Sequence, residues 1–126
     1  MINFFKNSFF VIIFLLINNY VYADSNIYLI QNNKISINQK DILEARKVSK
    51  QKAFRIALER LFERIVPQDD KDLFYKFDDT DLTKFVSDYA IKQEDFFNEE
   101  YNAVIDVNFN AKEIQSLFEK FDVNLN

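Results

Sequence analysis

Ser49-Lys50-Gln51-Lys52 places a hydroxyl and an amine at the S-x-x-K spacing, which can bring a serine nucleophile and a lysine together on one helix face. Ser87-Asp88-Tyr89 loosely resembles the S-D-N element that accompanies S-x-x-K in penicillin-recognising enzymes. The third element of that set, K-T-G, requires a glycine, and this chain of 126 residues has none. It is also too short for that fold. Ser49 falls on a row of small residues, so close packing is the role expected of it. Two acidic clusters, Asp69-Asp70-Lys71-Asp72 and Asp78-Asp79-Thr80-Asp81, offer the oxygen ligands a calcium ion requires. Neither carries the glycine or the terminal glutamate of an EF-hand loop, and helix capping accounts for both. Pairs of carboxylates for glycoside hydrolysis could be drawn almost anywhere, and no spacing singles one out. No catalytic residue, metal ligand or cofactor is therefore expected.

Composition narrows the chemistry further. Glycine, histidine, cysteine and tryptophan are absent, and Pro67 is the single proline. Without glycine there is no phosphate-cradling loop, dinucleotide fingerprint or nucleophile elbow. Without histidine and cysteine the usual zinc sets and nucleophile–base pairs are missing. An AT-rich genome would push composition the same way, since glycine and proline use GC-rich codons. A formal net charge of −4 with no basic run argues against nucleic acid or anionic lipid as the main partner.

The first 23 residues carry an address. Lys6 supplies a positive start, Phe9 to Ile17 is an unbroken apolar run, and Val21-Tyr22-Ala23 is a small-residue cleavage signal. The run is shorter than the ~18 to 20 residues of a spanning helix and ends at Asn18 and Asn19. Residues 1–23 therefore read as a secretory signal peptide, with residues 24–126 as a single exported domain in the periplasm of a Gram-negative bacterium. No span remains after cleavage; an uncleaved leader would serve as a membrane anchor. Lacking cysteine, the domain depends on its core rather than on disulfides.

The elements that must position any site follow from periodicity. Ile27, Leu29, Ile35 and Ile37 share the odd face of a first strand over 27–37, interrupted near Gln31 and Asn33. Asn38 is the expected N-cap of a helix running from Gln39 to about Val66, with the row Ala45, Ser49, Ala53, Ala57, Leu61, Ile65 facing the sheet. Small residues come first, allowing close approach; large ones follow. Pro67 ends this helix. Two short helices are expected next, one carrying Leu73, Phe74 and Phe77, the other Leu82, Phe85, Val86 and Tyr89.

Residues 89–109 read as a β-hairpin. A three-residue loop, Asn98-Glu99-Glu100, sets Phe97 opposite Tyr101 and Ile91 opposite Val107, and is preferred. A two-residue loop would put Glu94 opposite Ala103, bringing charge onto the core face. Asn110 caps a last helix whose buried side carries Ile114, Leu117, Phe118 and Phe121. The order β-α-α-β-β-α implies an α+β two-layer sandwich with three mostly antiparallel strands and helices on one face.

Glu44-Ala45-Arg46, Ala53, Ala57, Leu58, Leu61 and Glu63-Arg64-Ile65 in the long helix, together with Val86-Ser87-Asp88-Tyr89, Glu94 and Tyr101 to Phe109, give the chain its likeness to known sequences. In these residues it resembles a bacterial family known as domain of unknown function 2066. The resemblance implies an envelope-associated domain and supplies no activity. This chain departs from the family in lacking the glycine that often follows the long helix, and in stopping soon after the last helix.

Under the preferred register the even-numbered side of the sheet carries Tyr28, Ile30, Phe96 and Val104 among polar neighbours. These four form the expected interaction face. The expected function is a non-catalytic protein-interaction module, its partner an envelope protein or a second copy. A small-molecule or ion-binding domain is the alternative, and a cavity with converging polar groups would distinguish it.

Overall fold

The computed structural model describes residues 26–70, 72 and 77–121, so the leader expected over residues 1–23 and the side chains of Leu73 and Phe74 lie outside it. The described chain forms β1 (Leu29–Asn38), α1 (Ile42–Ile65), α2 (Asp79–Leu82), β2 (Val86–Phe97), β3 (Glu100–Phe109) and α3 (Ala111–Lys120). The strands make one antiparallel sheet in the order β1-β3-β2. This is the α+β fold in the order β-α-α-β-β-α that the sequence implies. No helix among the described residues is long and apolar enough to cross a membrane.

The long helix starts later than expected. Asp41, not Asn38, is its N-cap: the Asp41 carboxylate accepts from the Leu43 amide at 3.0 Å, while Asn38 ends β1. Its C-terminus falls where Pro67 requires, with Val66 extended and its amide donating to the Phe62 carbonyl at 2.9 Å. Every member of the row Ala45, Ser49, Ala53, Ala57, Leu61, Ile65 is buried. The alanines bring the helix axis close to β1 and β3. Leu58, Leu61 and Ile65 then each contribute on the order of 1.5 to 3 kcal/mol of apolar burial. At the far end Phe62 meets Phe118 of α3 with ring centroids 5.3 Å apart. Asn110 caps α3 as expected, accepting from the Glu113 amide at 3.1 Å. Ile114 and Phe118 are buried there, whereas Phe121 remains partly exposed.

Three irregularities decide which side chains face the core. In β1 an extra residue lies between Ile30, paired with Val107, and Asn33, paired with Ile105; Asn32 takes φ 61° at this bulge. Side-chain parity switches there, so Ile30 faces the core before the bulge, and Ile35 and Ile37 face it after. In β2 extra residues at Ser87 and Lys92 switch parity twice more. Val86 and Tyr89 thus belong to β2 and not to the short helix before it.

The hairpin closes through the two-residue turn Asn98-Glu99, with φ 51° and 62°, the twist suited to a tight hairpin. Phe96 therefore pairs with Tyr101 and Glu94 with Ala103, and the expected three-residue loop is not formed. The charge that argued against this register is accommodated, because Glu94 meets a cation and a hydroxyl on the helix side.

Candidate functional site

The four residues expected to share an interaction face are not brought together. Ile30 is fully buried in the core, because the β1 bulge reverses the alternation that placed it outside. Tyr28 is half-buried against the core, and its hydroxyl accepts from Gln115 Nε2 at 3.2 Å. Phe96 is also half-buried and packs on the helix side, since the two-residue turn shifts it there. Val104 alone of the four lies on the open face. Around it a shallow depression of about 300 Å³ is lined by Lys34, Ser36, Gln93, Asp95 and Asn102. Much of this face is tied up internally: Asn102 Nδ2 donates to Asp95 at 3.2 Å, and Lys92 pairs with Asp106 at 3.4 Å.

Phe97, beside the turn and paired with Glu100, is 75% exposed on the open face, and β2 also exposes apolar side chains on the other side of the sheet. Helix α1 packs over β1 and β3, leaving the edge strand β2 largely uncovered. Tyr89 is 45% exposed and Ile91 38%, although their register with Val107 and Ile105 puts both on the core side. Along α1, three side chains reach over to this flank. Arg46 grips Glu94 with two hydrogen bonds of 2.9 and 2.7 Å. The Lys50 ammonium stands 5.6 Å from the Tyr89 ring centroid, and Phe54 meets the same ring edge-on at 5.5 Å. Further along, Arg55 pairs with Asp79 of α2 at 2.9 Å. The flank is thus an apolar strip of Tyr89 and Ile91 lying between two ion pairs.

Glu94 is the electrostatic anchor of this flank. Hydrogen bonds from Arg46, and then from the Tyr101 hydroxyl at 2.6 Å, hold its pKa down at about 2. Tyr101 responds in the opposite sense. Its burial, and next the hydrogen bond it donates to ionised Glu94, raise its pKa to about 12. The same carboxylate raises the pKa of Arg46. These are the shifts of a structural ion pair.

Ser49 and the acidic cluster at Asp78 to Asp81 take structural roles, whereas the cluster at Asp69 to Asp72 lies partly outside the described residues. Ser49 is fully buried under the sheet and Lys52 is exposed, so the S-x-x-K serine has no access to a substrate. Asp78 caps α2 by accepting from the Asp81 amide at 2.9 Å, which lowers its pKa; Asp79 pairs with Arg55, and Asp81 with Lys84 at 3.8 Å. No three acidic side chains among the described residues are grouped to hold a metal ion. The signal that could have located the exposed flank was in the sequence. Tyr89 and Ile91 alternate on an apolar face, and Arg46 and Lys50 are polar positions one turn apart on the helix that should cover it. Comparison with family models, with curated proteins and with solved structures yields no match.

Proposed function

We propose that this chain is an exported, non-catalytic protein-interaction domain of the bacterial cell envelope, and that β2 with its helix-side flank is the contact surface. The location rests on the leader-like residues 1–23 and on the resemblance to an envelope family. The exposure of Tyr89 and Ile91 on the core side of the sheet carries the contact assignment, since a strand whose apolar face is left half open gains by being covered. A ligand-binding reading requires polar groups converging on a cavity, and around Val104 two of them, Asn102 and Asp95, are bonded to each other.

The test is a photo-crosslinking side chain placed at Ile91 in cells, with Ser36 on the open face as its control. A discrete adduct from Ile91 and none from Ser36 is the expected outcome. The reverse pattern would move the contact surface to the open face.

A further inference from the structure

We propose that the free edge of β2 pairs antiparallel with β2 of a second copy, about a two-fold axis through Ala90, joining two three-stranded sheets into one of six strands. This rests on the β2 contact surface assigned above and names its occupant. One side of β2 is bonded to β3, and among the described residues no strand pairs with the other side.

Symmetry and charge select the register. A two-fold axis perpendicular to the sheet keeps each face on its own side, so opposed residues must share a face. In β2 the regular stretch lies between the bulges at Ser87 and Lys92, which limits the axis to residues near its middle. Centred on Ile91, the pairing sets open-face Asp88 against helix-side Glu94 and helix-side Tyr89 against open-face Gln93, so the faces do not match. Centred on Tyr89, it sets Asp88 against Ala90 and matches no charges. Centred on Ala90, it sets Asp88 against Lys92 twice, Tyr89 against Ile91 twice, and Ala90 against itself.

The faces agree with this choice. Asp88 lies on the open face through its register with Asn108, and Lys92 lies there through its contact with Asp106 at 3.4 Å. Each Lys92 then stands between Asp106 of its own sheet and Asp88 of the second copy. On the helix side each exposed Tyr89 covers Ile91 of the second copy, burying the two side chains that α1 leaves uncovered. A two-fold contact of this kind uses the β2 edge of each copy once, so the pairing closes as a dimer instead of propagating.

Sedimentation equilibrium on the purified protein tests this directly, with a mass of two chains expected. Asp88→Lys and Lys92→Asp each create two like-charge contacts, and each variant alone should run as a folded monomer. Mixed in equal amounts they should return to the mass of two chains, because the substituted positions now oppose each other with opposite signs and native Asp88 faces native Lys92. The chain has no cysteine, so Ala90→Cys supplies an independent reading: thiols opposed across the axis should give an interchain disulfide on mild oxidation, whereas Asp95→Cys should not. A single-chain mass for the native protein, dimers that survive either charge reversal, or no disulfide from Ala90→Cys overturns the proposal. If the native protein is monomeric while Ile91 still crosslinks to a different protein, the β2 surface stands and only the second copy is wrong.

Discussion

Asn33 shows how one buried polar side chain holds an irregular strand in place. The β1 bulge takes the Ile30 carbonyl out of the regular ladder, and Asn33 Nδ2 donates to it at 3.0 Å and to the Ile105 carbonyl at 2.9 Å. Arg60 completes the arrangement from α1, donating to the Gln31 carbonyl at 2.7 Å and to Asn33 Oδ1 at 2.9 Å. Replacing Asn33 with leucine leaves two buried carbonyls without these donors, so Asn33→Leu should destabilise the domain by about 1 to 3 kcal/mol despite adding apolar volume. Urea denaturation measures this as a lowered midpoint with an unchanged slope. Glu94 makes a second residue-scale prediction. Its folded pKa of about 2 lies below its ordinary value, so the stability it contributes is present above about pH 4.5 and is lost as pH falls toward 2. Urea midpoints taken between pH 5 and 2 should fall less steeply for Glu94→Gln than for the native protein. Equal slopes would show that the Arg46 pair contributes nothing to folding.

The β2–β3 hairpin shows what can be read from residues at the scale of an element and what cannot. Its position, its antiparallel partner and the capping of α3 follow from alternation and from Asn110, and the burial of the α1 row follows from four-residue spacing. Register does not follow from alternation alone. Ser87, Lys92 and the bulge beside Asn32 each add one residue, and a single added residue exchanges the two faces of everything beyond it. For this reason Tyr28 and Ile30 turn to the core side, while Phe96 is moved there by the two-residue turn and Val104 stays on the open face. The two-residue loop was disfavoured because it turned Glu94 inward, and the compensation comes from Arg46, which lies 48 positions away in sequence. The turn itself is strained by the absence of glycine. Glu99 holds φ 62°, while its carbonyl accepts from the Gln39 amide at 2.8 Å, which ties the turn to the residue that follows β1. A left-handed conformation costs a non-glycine residue about 1 to 2 kcal/mol, and glycine's greater freedom when unfolded returns part of that. Glu99→Gly should therefore raise stability by about 0.5 to 1 kcal/mol in the same denaturation experiment. A loss of stability would mean that the Glu99 side chain, not the backbone, holds the turn.

At the scale of the whole molecule, one helix layer on a three-stranded sheet leaves an edge strand uncovered, and location decides what that surface can meet. The hydrogen bonds described at the amino-terminal end of the domain begin at Asn26, whose side chain accepts from the Tyr28 amide at 3.0 Å and donates to Asn108 at 3.3 Å. The expected cut between Ala23 and Asp24 falls just before this anchor, so removing the leader takes none of these bonds away. Signal cleavage depends on a small residue immediately before the cut. In a Gram-negative host the protein recovered from the periplasm should therefore begin at Asp24, as read by intact-mass spectrometry. Ala23→Leu should block processing and leave a full-length chain bound to the inner membrane by its apolar run, Phe9 to Ile17. Full-length native protein in that membrane would instead make the leader a permanent anchor. Cytoplasmic native protein with residues 1–23 intact would overturn the envelope reading altogether.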